Sequence, residues 1–152
     1  GFQEWGCILQ HLCKIYTING YSCLNGHLKE LIIYRLEQAD ESLQSARLLF
    51  ENDKFRPAVN RSYYAMFYSV LALIVTENNS TSKHTGVISI FDKEYVKKGV
   101  FPREMSKWLH ESFDLRQRAD YTEMFTVSKE RADELIRNSA LFLASVRGYL
   151  KV

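Results

Sequence analysis

The stretch NRSYYAMFYSVLALIV, residues 60–75, leaves this chain few ways to fold. From Tyr63 to Val75 only Ser69 interrupts the apolar and aromatic side chains. These 13 residues fall short of the about 20 that a membrane-spanning helix needs. Asn60 and Arg61 bound the run on one side and Glu77, Asn78 and Asn79 on the other, and no other segment is long enough to span. A helix that is apolar on nearly every side is covered by its neighbours. The run is therefore expected at the centre of a helical bundle, with no membrane role.

The flanking sequence supplies helices to cover it. Ile32, Leu36, Ala39, Leu43, Ala46 and Phe50 recur in alternating steps of four and three, one seam of a helix. Asp53 and Lys54 break that pattern, and Pro57 suits the first turn of a second helix. A third helix carries Val87, Ile88, Phe91 and Tyr95, and is predicted to run on to Lys97-Lys98-Gly99. A fourth starts at Pro102 and turns Met105, Trp108, Leu109, Ser112 and Phe113 inward. Ser128 is the predicted N-cap of a fifth, with Ala132, Leu135, Ser139, Phe142, Val146 and Tyr149 along one side. Short connections favour antiparallel neighbours. The expected fold is all-α, an up-and-down antiparallel bundle of about five helices over residues 27–152, with residues 1–26 an appended, less regular segment.

Charge and cysteine usage set outer limits. The net charge of +2 is too small to argue alone for nucleic acid or a membrane surface. Residues 28–53 carry six acidic and three basic side chains, whereas residues 83–118 carry eight basic and five acidic. The second region could guide a phosphate, although a solvated face explains it as well. Gly1 stands in place of an initiating Met, and the first 26 residues lack the basic-then-apolar order of a secretory signal. Three cysteines, Cys7, Cys13 and Cys23, suit reduced thiols in a cytoplasm better than a disulfide framework. Cys7-x3-His11 and Cys23-x3-His27 share a spacing, but zinc sites usually pair like residues more closely. No metal or cofactor is expected.

Three places hold polar groups in arrangements that a core does not require. Arg61, Tyr64 and Tyr68 share a stripe of the second helix and could stack a base or hold a phosphate, although tyrosine hydroxyls at a bundle edge are commoner. Thr81, Ser82, Lys83 and His84 lie near the start of the third helix, where free backbone N–H groups favour anions; ordinary capping is the alternative. In DLRQRADY, Arg116 follows Ser112 and Phe113 at helical spacing and so points inward, with Asp120 one turn beyond. That pair is either a structural ion pair or an arginine fixed by Asp120 to bind a phosphodiester.

In their order and spacing, RSYYAMFYSVLAL, SKHTGVISIF and LRQRADY, followed by a long amphipathic helix, resemble the HEPN domain family from about Leu28 to Leu150. The subgroup most similar is the small stand-alone prokaryotic HEPN proteins, whose genes often neighbour a minimal nucleotidyltransferase. The resemblance implies a helical bundle, commonly a homodimer with a polar cleft between subunits. Active members cleave RNA without metal through an Arg-x4-6-His motif, in which arginine holds the scissile phosphate and histidine assists attack by the 2′-hydroxyl. Arg116 stands where that arginine falls, but positions 121–123 are Tyr121, Thr122 and Glu123. An ionised Asp120 repels phosphate, and Tyr121 is a poor base near neutral pH. Arg103 and His110 satisfy the motif formally, yet their seven-residue offset separates them by about 10 Å along the helix axis.

Two functions follow from the resemblance. The leading one is a domain that binds nucleotide or RNA, or a nucleotidyltransferase partner, in a toxin–antitoxin or defence system, with a degenerate nuclease motif. Arg116, Asp120 and Tyr121, supported by Arg61, Tyr64, Lys83 and His84, form the expected ligand site. The alternative is an active metal-independent endoribonuclease toxin, with catalytic candidates Arg116, His110 and His84. As an assembly partner, the chain would offer Tyr64, Tyr68 and Trp108 to an interface, where aromatic residues are enriched.

Overall fold

The computed structural model describes residues 21–75 and 83–152. Five α-helices form the antiparallel up-and-down bundle: α1 (Tyr21–Glu51), α2 (Phe55–Ile74), α3 (His84–Phe91), α4 (Arg103–Tyr121) and α5 (Lys129–Leu150). There is no strand among the described residues, and no helix among them is long and apolar enough to cross a membrane. The expectations placed on Cys7, His11, Cys13, Thr81 and Ser82, and on the side chain of Cys23, lie outside the described residues.

The apolar run is the centre of the fold. α2 packs against all four other helices, and Tyr63, Ala65, Met66, Val70 and Ala72 are completely buried. Ser69, the interruption, donates its hydroxyl hydrogen to the Ala65 carbonyl at 2.7 Å, so its own polar group is not left bare. Ser62 does the same with Ala58 at 3.0 Å. The seam of α1 is buried at Ile32, Leu36, Ala39, Leu43 and Ala46, as its spacing requires. Asp53 takes a left-handed backbone (φ 58°) between α1 and α2, which ends the first helix where the pattern breaks.

α3 is shorter than predicted. Regular helix ends at Phe91, and Asp92–Val96 form a wider π turn in which the Lys97 amide donates to the Asp92 carbonyl at 2.8 Å. The change of pitch accompanies the inward turn of Tyr95, which stacks near Phe91 and donates its hydroxyl to the Leu73 carbonyl at 2.8 Å. Gly99 (φ 77°) then reverses the chain, a conformation that glycine adopts without steric cost. Phe91 is fully buried against Phe101, Tyr95 and Phe142, which locks α3 to α5. At the start of α5 the Ser128 hydroxyl accepts the Arg131 amide at 3.1 Å, the predicted cap.

Candidate functional site

Arg116 lies near the C-terminal end of α4, one turn before the helix gives way at Tyr121. Its side chain is only 13% exposed. The guanidinium carbon sits 5.5 Å from the ring centre of Tyr63 and 5.3 Å from that of Tyr64, within range of a cation–π attraction to both. One amino group donates to the Tyr64 hydroxyl at 3.2 Å. Nε faces an Asp120 carboxylate oxygen at 3.3 Å but makes no well-formed hydrogen bond, and it is sealed from solvent. The spacing of four between Arg116 and Asp120 thus yields the predicted pair, held against aromatic faces.

A second arginine also lies against the Tyr64 ring. The Arg61 guanidinium carbon lies 4.8 Å from the ring centre of Tyr64, and its Nε and one amino group donate to Asn60 Oδ1 at 3.1 and 2.8 Å. Asn60 in turn donates through its Nδ2 to Asp120 at 2.8 Å. Asn60 therefore joins Arg61 to Asp120 and Arg116, and the sequence reading missed it. So was Arg56, whose guanidinium donates to the Ala119 carbonyl at 2.9 Å and to that of Thr122 at 3.4 Å, tying down the end of α4. Steps of four from Arg56 to Asn60 to Tyr64 mark one face of α2, a signal already present in the sequence.

His84, the first residue of α3, joins the same cluster. Its ring stacks on Phe67 at 4.4 Å between centres and lies 5.7 Å from Tyr63 and 5.8 Å from Tyr64. The Tyr63 hydroxyl and His84 Nδ1 are 2.7 Å apart. Burial lowers the His84 pKa below its usual 6.5, and the positive charge of Arg116 lowers it further. Burial also pushes the Tyr63 hydroxyl far above the ordinary tyrosine range, so it stays protonated. The sequence placed Tyr63 in the core alone; it is fully buried, and its hydroxyl also orients His84.

The remaining candidates stand apart. Lys83 is exposed at the N-cap of α3 and makes no capping bond, and Tyr121 is 76% exposed at the end of α4. His110 is not brought to Arg116. Its Nε2 lies 2.6 Å from Asp92, whose other oxygen accepts from the Ser106 hydroxyl at 2.6 Å, a link between α4 and the π turn. Arg103 is exposed at the first turn of α4, and no hydrogen bond or ion pair joins it to His110 among the described residues. Tyr68 and Trp108 are half-buried against the core, Tyr68 with its ring 5.8 Å from Tyr64.

The depressed His84 pKa carries a sign. Between the folded and unfolded values the unfolded chain holds more protons, so stability rises with pH through that window. The contribution of His84 is complete above about pH 6.5 and is lost as pH falls toward the folded value. Denaturant unfolding between pH 5 and 8 is expected to show a steeper acid-side loss for the wild type than for His84→Gln. Parallel curves would show that His84 does not resist protonation.

The comparisons with known proteins agree with this architecture. A family model described as HEPN domain matches residues 33–149. A Thermotoga maritima protein named "UPF0332 protein" is 37% identical over 118 residues, 78% of this chain and 89% of its own length. Two proteins of Methanocaldococcus jannaschii carry the name "Putative toxin". One is 37% identical over 128 residues, 84% of this chain and 95% of its own length. The other is 35% identical over 115 residues, 76% of this chain and 78% of its own length.

Proposed function

Because this chain belongs to the HEPN domain family, we propose that it is a toxin-type HEPN domain whose Arg116 cleft binds the phosphodiester backbone of RNA without strong nuclease activity. The observation that carries this reading is Arg116 itself. Two tyrosine faces and Asp120 hold an arginine at the position where the family's phosphate-binding arginine falls, while no histidine follows at positions 121–123. Arg61 adds a second guanidinium near the same ring, and the half-buried Tyr64 is the aromatic side chain on which a base would stack. The exposed Lys83 and Tyr121 would act at the rim. A second copy of the chain and a minimal nucleotidyltransferase are the protein partners in this reading, and the cytoplasm its compartment.

One observation favours the alternative, an active endoribonuclease: His84 shares the aromatic cluster of Arg116. The two readings separate in one experiment. Purified protein is mixed with single-stranded RNA in chelator, and both retention and strand length are followed. Retention of intact RNA is the expected result. Cleavage that chelator does not suppress would replace the binding reading with the ribonuclease, and absence of both would remove the RNA site.

A further inference from the structure

The imidazole of His84 is held in a way that fixes which nitrogen carries the proton. Tyr63 is completely buried, and His84 Nδ1 is the hydrogen-bond partner of its hydroxyl among the described residues. If Nδ1 carried the hydrogen, the hydroxyl would be an acceptor and its own hydrogen would be buried without a partner. Such orphaned donors are costly, and native structures avoid them. The Tyr63 hydroxyl therefore donates into Nδ1. In neutral imidazole the other nitrogen then bears the hydrogen. Nε2 has no protein partner among the described residues, and it is not sealed from solvent as Arg116 Nε is.

We propose that His84 is a ligand-contacting residue, its Nε2–H donating to an oxygen of an RNA phosphodiester held by Arg116, and that Tyr63 locks it in that tautomer. This rests on the reading of the Arg116 cleft as a phosphodiester site. Stacking on Phe67 and the bond to Tyr63 fix the ring plane, so the Nε2–H direction is set before a ligand arrives. The depressed basicity of the ring keeps it neutral near pH 7. A nitrogen that already carries a hydrogen accepts none, and the one lone pair on the ring is engaged by Tyr63. His84 is thus a poor general base, although it shares the Tyr63 and Tyr64 rings with the arginine. The histidine that argues for a ribonuclease is, in this arrangement, built for binding.

Two measurements test the proposal, the first on the unaltered protein. Long-range proton–nitrogen NMR near pH 7.5 reads the tautomer, with pyridine-like Nδ1 and protonated Nε2 expected; the reverse pattern would overturn the lock. The second titrates a single-stranded 2′-O-methyl oligoribonucleotide, which 2′-hydroxyl attack cannot cleave. His84→Phe keeps the stacking ring and loses the donor, and is expected to bind about 10-fold more weakly or worse. His84→Gln, which restores a donor amide near the Nε2 position, is expected within about 3-fold of wild type. Since His84→Phe leaves the Tyr63 hydrogen unpartnered, the double variant Tyr63→Phe/His84→Phe is measured as well and is expected to show the same weakening. Arg116→Ala separates the two levels of the argument. If it binds as wild type does, the phosphodiester cleft is wrong. If it weakens binding while both phenylalanine variants do not, the cleft stands and the role of His84 is overturned.

Discussion

Arg116→Ala is expected to lower the affinity for single-stranded RNA by about 10- to 100-fold, as losing a charge-assisted phosphate contact does. The bundle should survive. Arg116 leaves behind Tyr64, which remains packed on the core, and Asp120, which keeps its bond from Asn60. The lost stacking costs about 1 kcal/mol of stability, well inside what such a domain tolerates. Arg116→Lys is the more informative partner. Lysine retains the charge but not the planar fork that lies near two tyrosine rings while bonding the Tyr64 hydroxyl. Its affinity should fall between the other two. Equal affinities for wild type and lysine would mean that the site uses a point charge, and equal affinities for wild type and alanine would end the assignment. Gel-shift titration at fixed salt decides, because phosphate contacts weaken steeply as salt rises.

The helices were legible because their signals are local. A seam of steps of three and four from Ile32 to Phe50 has one burial solution, and the run from Tyr63 to Val75 is mostly interior. The π turn at Asp92–Val96 was not legible, because it follows from where Tyr95 and Phe101 meet the core, which no local pattern encodes. At the site, a spacing of four was enough to pair Arg116 with Asp120. Asn60 and Arg56 were missed because, although their steps of four put them on the Tyr64 face, the partners that give them a role lie about 60 residues away, where local spacing says nothing. Tyr63 shows the difficulty most clearly. As one of several consecutive apolar and aromatic residues it reads as core, and it is core; only its hydroxyl, 2.7 Å from His84, gives it a second task.

Phe91→Ala is expected to destabilise the domain by about 3–5 kcal/mol, the usual cost of emptying a fully buried phenylalanine site. The ring is 0% exposed and sits between Tyr95, Phe101 and Phe142, so two of its neighbours come from the irregular connection after α3 and one from α5. Large rigid rings on three sides leave little room for collapse, which favours the upper part of that range. Domains of this size have about 5–15 kcal/mol in all, so the variant is expected to sit near the edge of folding at 37 °C. The same substitution reaches the candidate site. α3 is only two turns long, with His84 at one end and Phe91 at the other, and its grip on the bundle comes from Val87, Ile88 and Phe91. With Phe91 gone, α3 should loosen before the longer helices do, and His84 should lose its fixed approach to Tyr63. In folded Phe91→Ala at low temperature, hydrogen exchange is expected to speed up first along α3, and the NMR signature of the His84 tautomer should blur. Destabilisation with an unchanged His84 signature would mean that the Tyr63 bond and stacking on Phe67 hold the ring without help from Phe91.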